Sequence, residues 1–200
     1  MSVHDVIERD EGQTQTGPDR VRKAVIEAAQ RLFAERGIHA VSVREIAREV
    51  GVSHTLLHLY FGSKDEIVRE VLMRRNGVAA ENISSAPDAA TGIADAFRGV
   101  ANDREWLRVL AAGLIEGIVP HTMTTNPQAQ LAFIERFKGQ EQSKDSVDYR
   151  VIGAATTAMV IGWAVAHDWV RNGAGYEDMS DEELVDGMAN LLQRMVSDYS

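Results

Sequence analysis

Between Val41 and Glu66 the chain reads V-S-V-R-E-I-A-R-E-V-G-V-S-H-T-L-L-H-L-Y-F-G-S-K-D-E, and this stretch restricts the fold more than any other. Val43, Ile46, Ala47 and Val50 recur at helical spacing, which commits one face of a short helix to a core. Gly51 breaks that helix, and Ser53 is placed to cap a second one that carries Leu57, Tyr60 and Phe61 inward. Two short helices joined by a three-residue turn form a unit whose second helix can lie in the major groove of DNA, because its outer face is left free.

The residues on that outer face follow from a rotation of about 100° per residue. With Leu57 at the centre of the buried side, Thr55, His58 and Leu59 fall opposite it, and His54 projects from the first turn. These four are the expected base readers. The opening N–H groups of the helix lack intrahelical acceptors and suit a phosphate. Arg44, at the start of the preceding helix, and Lys64, just after the unit, add positive charge, so the expected DNA-binding set is Arg44, Ser53, His54, Thr55, His58, Leu59, Tyr60 and Lys64. Two imidazoles on such a helix are expected to gain charge as pH falls toward about 6.5. His54 and His58 also have the spacing of zinc ligands on one helix face, but Thr55 stands where the metalloprotease motif needs Glu. No metal site is expected.

A net charge of −9 over 200 residues at first argues against a polyanionic partner. Its distribution reverses the argument. Residues 1–19 carry one basic side chain against five acidic, residues 20–76 carry 11 against seven, and residues 77–200 carry nine against 18. The positive segment is the one that holds the helix pair, and the acidic remainder would orient the molecule on DNA by its basic end. A hydrophobic content of 44% with 26% charged residues suits a globular chain. With no cysteine and no signal-peptide pattern at the N-terminus, a reducing, cytoplasmic setting is expected.

Residues 20–66 resemble the DNA-binding domain of the TetR family of bacterial transcriptional regulators. The likeness is carried by A-x-x-L-F-A-E-R-G from Ala29 to Gly37, S-V-R-E-I-A from Ser42 to Ala47, then G-V-S and Y-F-x-S-K-D-E. Two positions depart from the pattern. Leu56 and His58 stand where the family commonly has Thr and Tyr, removing a phosphate-binding hydroxyl and replacing a phenol with an imidazole. The resemblance implies that Lys64 holds a backbone phosphate and that Arg44, His54 and Thr55 approach bases or phosphates. It further implies a homodimer on a near-palindromic double-stranded operator and a small-molecule effector bound in the second domain.

Residues 1–19 are polar, acidic and rich in turn formers, with Arg9 as their one cation. They are expected to form a mobile arm. A helix-turn-helix domain over 20–66 and a helical effector-binding and dimerisation domain over 67–200 complete an all-α chain. Helices are predicted near 20–36, 43–50, 54–60, 64–82, 88–100, 103–117, 127–140, 147–172 and 181–198. Expected capping boxes are Ser42 with Glu45, Ser63 with Glu66, Asn102 with Glu105 and Ser180 with Glu183.

Val151–His167 contains no Asp, Glu, Lys or Arg, but it is shorter than a membrane span and holds Gly153, Thr156, Thr157 and Gly162. It reads as a buried helix, either in the chain's own core or, with the helix of Leu184, Met188, Leu191, Leu192 and Met195, as half of a four-helix dimer interface. Trp106, Leu110, Met123, Phe137, Met159 and Trp163 are the candidate effector contacts; the alternative is simple core. No nucleophile elbow, phosphate loop or dinucleotide fingerprint is present, so the sequence nominates no catalytic residue and no cofactor. The expected activity is that of a repressor released by a mainly apolar ligand; the alternative is a ligand-independent DNA-binding or protein-partner adaptor with a closed second domain.

Overall fold

A computed structural model of the chain describes residues 17–118, 128–137, 148–173, 175 and 178–197. Most of the expected N-terminal arm and Met123 lie outside the described residues, as does the side chain of Phe137. The described residues form nine helices and no strand, so the chain is all-α: α1 (Gly17–Arg36), α2 (Val43–Val50), α3 (His54–Phe61), α4 (Lys64–Ser85), α5 (Ala89–Ala101), α6 (Arg104–Ile115), α7 (Gln128–Phe137), α8 (Tyr149–Gly173) and α9 (Asp181–Ser197). Two compact units share them, one ending at Val71 and the other beginning at Leu72.

In the first unit, α1 buries Val25, Ala28, Ala29 and Phe33, one stripe at helical spacing, and ends where Gly37 takes a φ of 82°. The capping box expected at α2 is complete. Ser42 Oγ accepts the Glu45 N–H at 3.3 Å, and the Glu45 carboxylate accepts the Ser42 N–H at 2.8 Å. Gly51, at φ 76°, closes α2 in the left-handed conformation that a side chain would resist. Val52 N–H then donates back to the Ala47 carbonyl at 3.0 Å. Ile46, Leu57, Ile67 and Val68 fill the space between these short helices with no exposed surface.

In the second unit, α5 is the hub, burying nine residues including Ile93, Phe97 and Val100. It approaches α4 so closely that a Cβ on Gly92 would lie 3.0 Å from the Ile83 backbone, which explains the run of small residues around it. Helix α9 turns Val185, Ala189, Leu192 and Val196 inward. Arg98 of α5 fixes it from the side, bonding Asp186 at 2.9 Å and Asn190 at 2.6 Å. The cap of α6 differs from expectation. Asn102 ends α5, and it is Asp103 that accepts the Trp106 N–H at 3.0 Å. A carboxylate one residue along therefore takes the place of the expected amide.

The charge-free helix also departs from its simplest reading. In α8 only Ile152, Trp163 and His167 are buried, while Val151, Val165 and Trp169 are exposed, so it is not a helix enclosed by its own chain. Ala166 leaves helical geometry at φ −113°, ψ 15°, bending the helix just before His167. By length and composition alone α8 could cross a membrane. Two of its hydroxyls bond within the helix: Thr156 and Thr157 donate to the carbonyls four residues back at 2.9 Å. The Trp163 indole donates to the Ala101 carbonyl at 3.3 Å.

Candidate nucleic-acid interface

Helix α3 begins at Ser53, whose Oγ accepts the Leu56 N–H at 3.1 Å, and ends at Gly62, whose N–H donates to the His58 carbonyl at 2.9 Å. Such caps matter because eight residues are too few for a helix to persist alone. Leu57 and Phe61 turn inward, while Thr55, His58 and Leu59 are exposed, Leu59 by 78%. The face deduced from helical angle is therefore the face left open. An exposed Leu at this point offers an apolar surface of the kind that meets a thymine methyl group. His54 and Tyr60 are half-buried at its margins.

The cations of the unit divide into two sets. Arg22 bonds Glu70 and lies over the Phe61 ring at 5.0 Å. Arg31 pairs with Glu49 at 3.4 Å, Arg36 with Glu45 at 2.9 Å and Arg69 with Glu66 at 2.7 Å. These pairs brace the helices. Arg44 and Arg48, one turn apart on the outer face of α2, are exposed and have no acidic partner among the described residues. Arg48 was missed in the sequence, although its i, i+4 relation to Arg44 marked it. Glu45, held by the Ser42 N–H, the Ser42 hydroxyl and Arg36, has its pKa lowered from 4.5 to about 2 and stays ionised.

Lys64 has a structural bond set. Its Nζ donates to the Ile38 carbonyl at 2.9 Å and the Val41 carbonyl at 3.2 Å, holding the loop between α1 and α2. An ammonium has three donors, so one remains for a phosphate. Lys64 therefore braces this loop.

The two histidines do not act separately. Their Nε2 atoms lie 3.0 Å apart with ring planes at 84°, and His58 Nδ1 is 2.9 Å from the Gly62 carbonyl. The expectation of a charge gained near the ordinary imidazole value does not hold for His54. The His54 pKa lies below that value, because nearby protein partly excludes water from it and because His58 and Arg44 oppose a further positive charge.

The expected effector residues are placed differently. Trp106, Leu110 and Trp163 are buried, and the Trp106 indole donates to the Leu72 carbonyl at 3.3 Å. Met159 is half-buried. A shallow cavity of about 590 Å³ lies elsewhere in the second unit, lined by Arg75, Arg98, Asn102, Asp103, Arg104 and Glu105. It is polar and does not include the apolar set.

Residues 25–71 match the profile of the bacterial regulatory proteins of the tetR family. Over 190 residues the chain is 30% identical to a helix-turn-helix transcriptional repressor of Mycobacterium tuberculosis, covering 89% of this chain and 92% of that one. The chain belongs to the TetR family. Solved structures agree on the fold. GusR of Salmonella enterica is similar with a TM-score of 0.65 at 19% identity, covering 91% of this chain and all of that one. NalD, the secondary repressor of the MexAB-OprM multidrug efflux pump in Pseudomonas aeruginosa, has a TM-score of 0.57 at 20% identity and covers 88% and 95%. As a TetR-family member, this protein is a DNA-binding transcriptional regulator.

Proposed function

We propose that the protein is a cytoplasmic homodimeric repressor that places α3 of each protomer in the major groove of a near-palindromic operator. The observation that carries this reading is the open face of Thr55, His58 and Leu59 beside Arg44 and Arg48, which have no acidic partner among the described residues. Polar and apolar groups then meet base edges while cations meet phosphates on either side. Ser53, His54, Tyr60 and Lys64 complete the contact set, with residues 20–66 as the DNA-binding domain and 67–200 as the regulatory and dimerisation domain.

Dimerisation is supported by α8 and α9. Val151, Ala154, Ala158, Gly162, Val165 and Trp169 recur along one open side of α8, and Leu191 and Met195 are exposed on α9. Exposed apolar stripes of this length suit an interface, and an isologous pairing of two such helix pairs would cover them. Half-sites would then be separated by about 34 Å or a multiple of it.

Release by a small, mainly apolar effector is the regulatory part of the proposal, with Trp106, Leu110, Met123, Phe137, Met159 and Trp163 as its contacts. The second reading, a ligand-independent adaptor, is favoured by one observation: both indole N–H groups are bonded inside the unit. Selection of bound fragments from genomic DNA, followed by anisotropy titration with and without compounds acting on the neighbouring genes, decides between them. An effector must lower operator affinity by the same factor by which operator lowers effector affinity. Absence of any sequence-selective binding at low salt would defeat both readings.

A further inference from the structure

The contacts of His54 and His58 define which ring nitrogens carry protons. A carbonyl oxygen only accepts, so the 2.9 Å contact with Gly62 places a proton on His58 Nδ1. In the neutral ring His58 Nε2 then holds a lone pair, and the 3.0 Å contact makes His54 Nε2 the donor. His54 Nδ1 is consequently an acceptor, and it has no protein partner among the described residues. We propose that His58 is a positioning residue that sets His54 to accept a hydrogen bond from a base amino group, and that one added proton converts the same nitrogen into a donor.

The conversion does not depend on which ring takes the charge. If His54 is protonated, both its nitrogens carry hydrogen. If His58 is protonated, its Nε2 donates, His54 Nε2 must accept, and the His54 proton moves to Nδ1. In either case His54 Nδ1 becomes a donor. An acceptor suits adenine N6 or cytosine N4, whereas a donor suits guanine N7 and O6. Arg44, on the helix packed against α3, is the charged side chain acting on His54 besides His58 itself. Partial desolvation of the ring, with the Arg44 charge adding to it, favours the neutral form of His54. The family pattern commonly has Tyr at the position of His58, so this relay belongs to chains that carry the pair.

The inference rests on α3 being the recognition helix, and the experiment separates the two claims. Operator preference is measured by anisotropy on the full chain, with all four bases at each position, at pH 8 and pH 5.5. His54→Ala identifies the position that His54 reads. There the unaltered protein should favour adenine or cytosine over guanine at pH 8 by about three- to tenfold, the worth of one hydrogen bond. That preference should fall or reverse at pH 5.5. His58 is exposed, so His58→Leu should keep the fold and its melting temperature while abolishing the pH 8 preference at that position. His58→Lys, which can only donate, should favour guanine at both pH values. If His54→Ala alters no position, base reading by His54 fails and the relay with it. If His54→Ala acts but His58→Leu leaves the preference intact, or the unaltered protein shows the same preference at both pH values, base reading stands and the relay is overturned.

Discussion

The first unit and the second hold their helices by different means. In the first, α2 and α3 have eight residues each, and their ends are closed by Ser42, Gly51, Ser53 and Gly62 while ion pairs brace the sides. In the second, α8 runs for 25 residues and α9 for 17, with small residues bringing helices together and apolar side chains still in solvent. Short helices gain little from propensity, so local caps and a compact apolar centre must supply their order. Long helices can present a face outward. The first unit is therefore finished as a single chain, whereas the second carries a surface suited to a further partner.

The largest test of that difference is to charge the open face. Val165→Glu together with Leu191→Glu alters exposed positions and should leave the helical spectrum unchanged. The protein should sediment as a monomer at micromolar concentration. Operator affinity should fall by about 10²- to 10⁴-fold, because the two half-sites no longer gain from linkage. A doubly substituted protein that remains dimeric would place the interface elsewhere. Conversely, Leu57→Ala removes a side chain with no exposed surface and should cost about 2–5 kcal/mol in the first unit. Calorimetry should show that unit melting earlier while the dimer survives.

A smaller effect separates the two sets of cations. Arg44→Ala and Arg48→Ala should each lower the slope of log affinity against log salt by about one, similarly for all sequences. Arg31→Ala, whose partner is Glu49, should change that slope less. Lys64→Ala should reduce both thermal stability and DNA affinity, because the carbonyls of Ile38 and Val41 lose their donor. If its effect were confined to DNA affinity, the bracing role would be wrong.

The smallest effect is acid sensitivity at the α2 cap. The Glu45 pKa is lowered on folding, so its contribution is fully present above the ordinary value of 4.5 and is lost as pH falls toward about 2. Glu45→Gln should lower stability at pH 7 slightly and flatten the decline across that window. Denaturant midpoints of the two proteins at pH 7, 4 and 2.5 check the sign. A difference that grows as pH falls would reverse the assignment.

The positions of α2 and α3 were legible to within a residue, because Ser42, Gly51 and Ser53 act on neighbours within one turn. The open face of α3 was legible for the same reason, since helical angle is a local quantity. The α6 cap was misplaced because Asn102 and Asp103 are adjacent and chemically alike as acceptors. For Trp106, Leu110 and Trp163 the sequence left core and effector contact both open, because bulk and hydrophobicity serve cores and pockets equally. Tertiary structure adds the direction of the two indole N–H groups, toward carbonyls 34 and 62 residues away.

By itself the sequence determined the all-helical class, the order of the helices, the basic segment and the face of α3 turned from the core. Each depends on the spacing or type of residues close along the chain. Tertiary structure decided that Lys64 bridges two carbonyls 26 and 23 residues away, that Arg44 and Arg48 have no acidic partner among the described residues while Arg31 and Arg36 are paired, and that α8 keeps an apolar side open. It also decided the bond between His54 and His58, because rotamers at i and i+4 permit the contact without requiring it. These outcomes depend on which distant groups compete for the same donor or the same volume, and that competition exists only once the chain is folded.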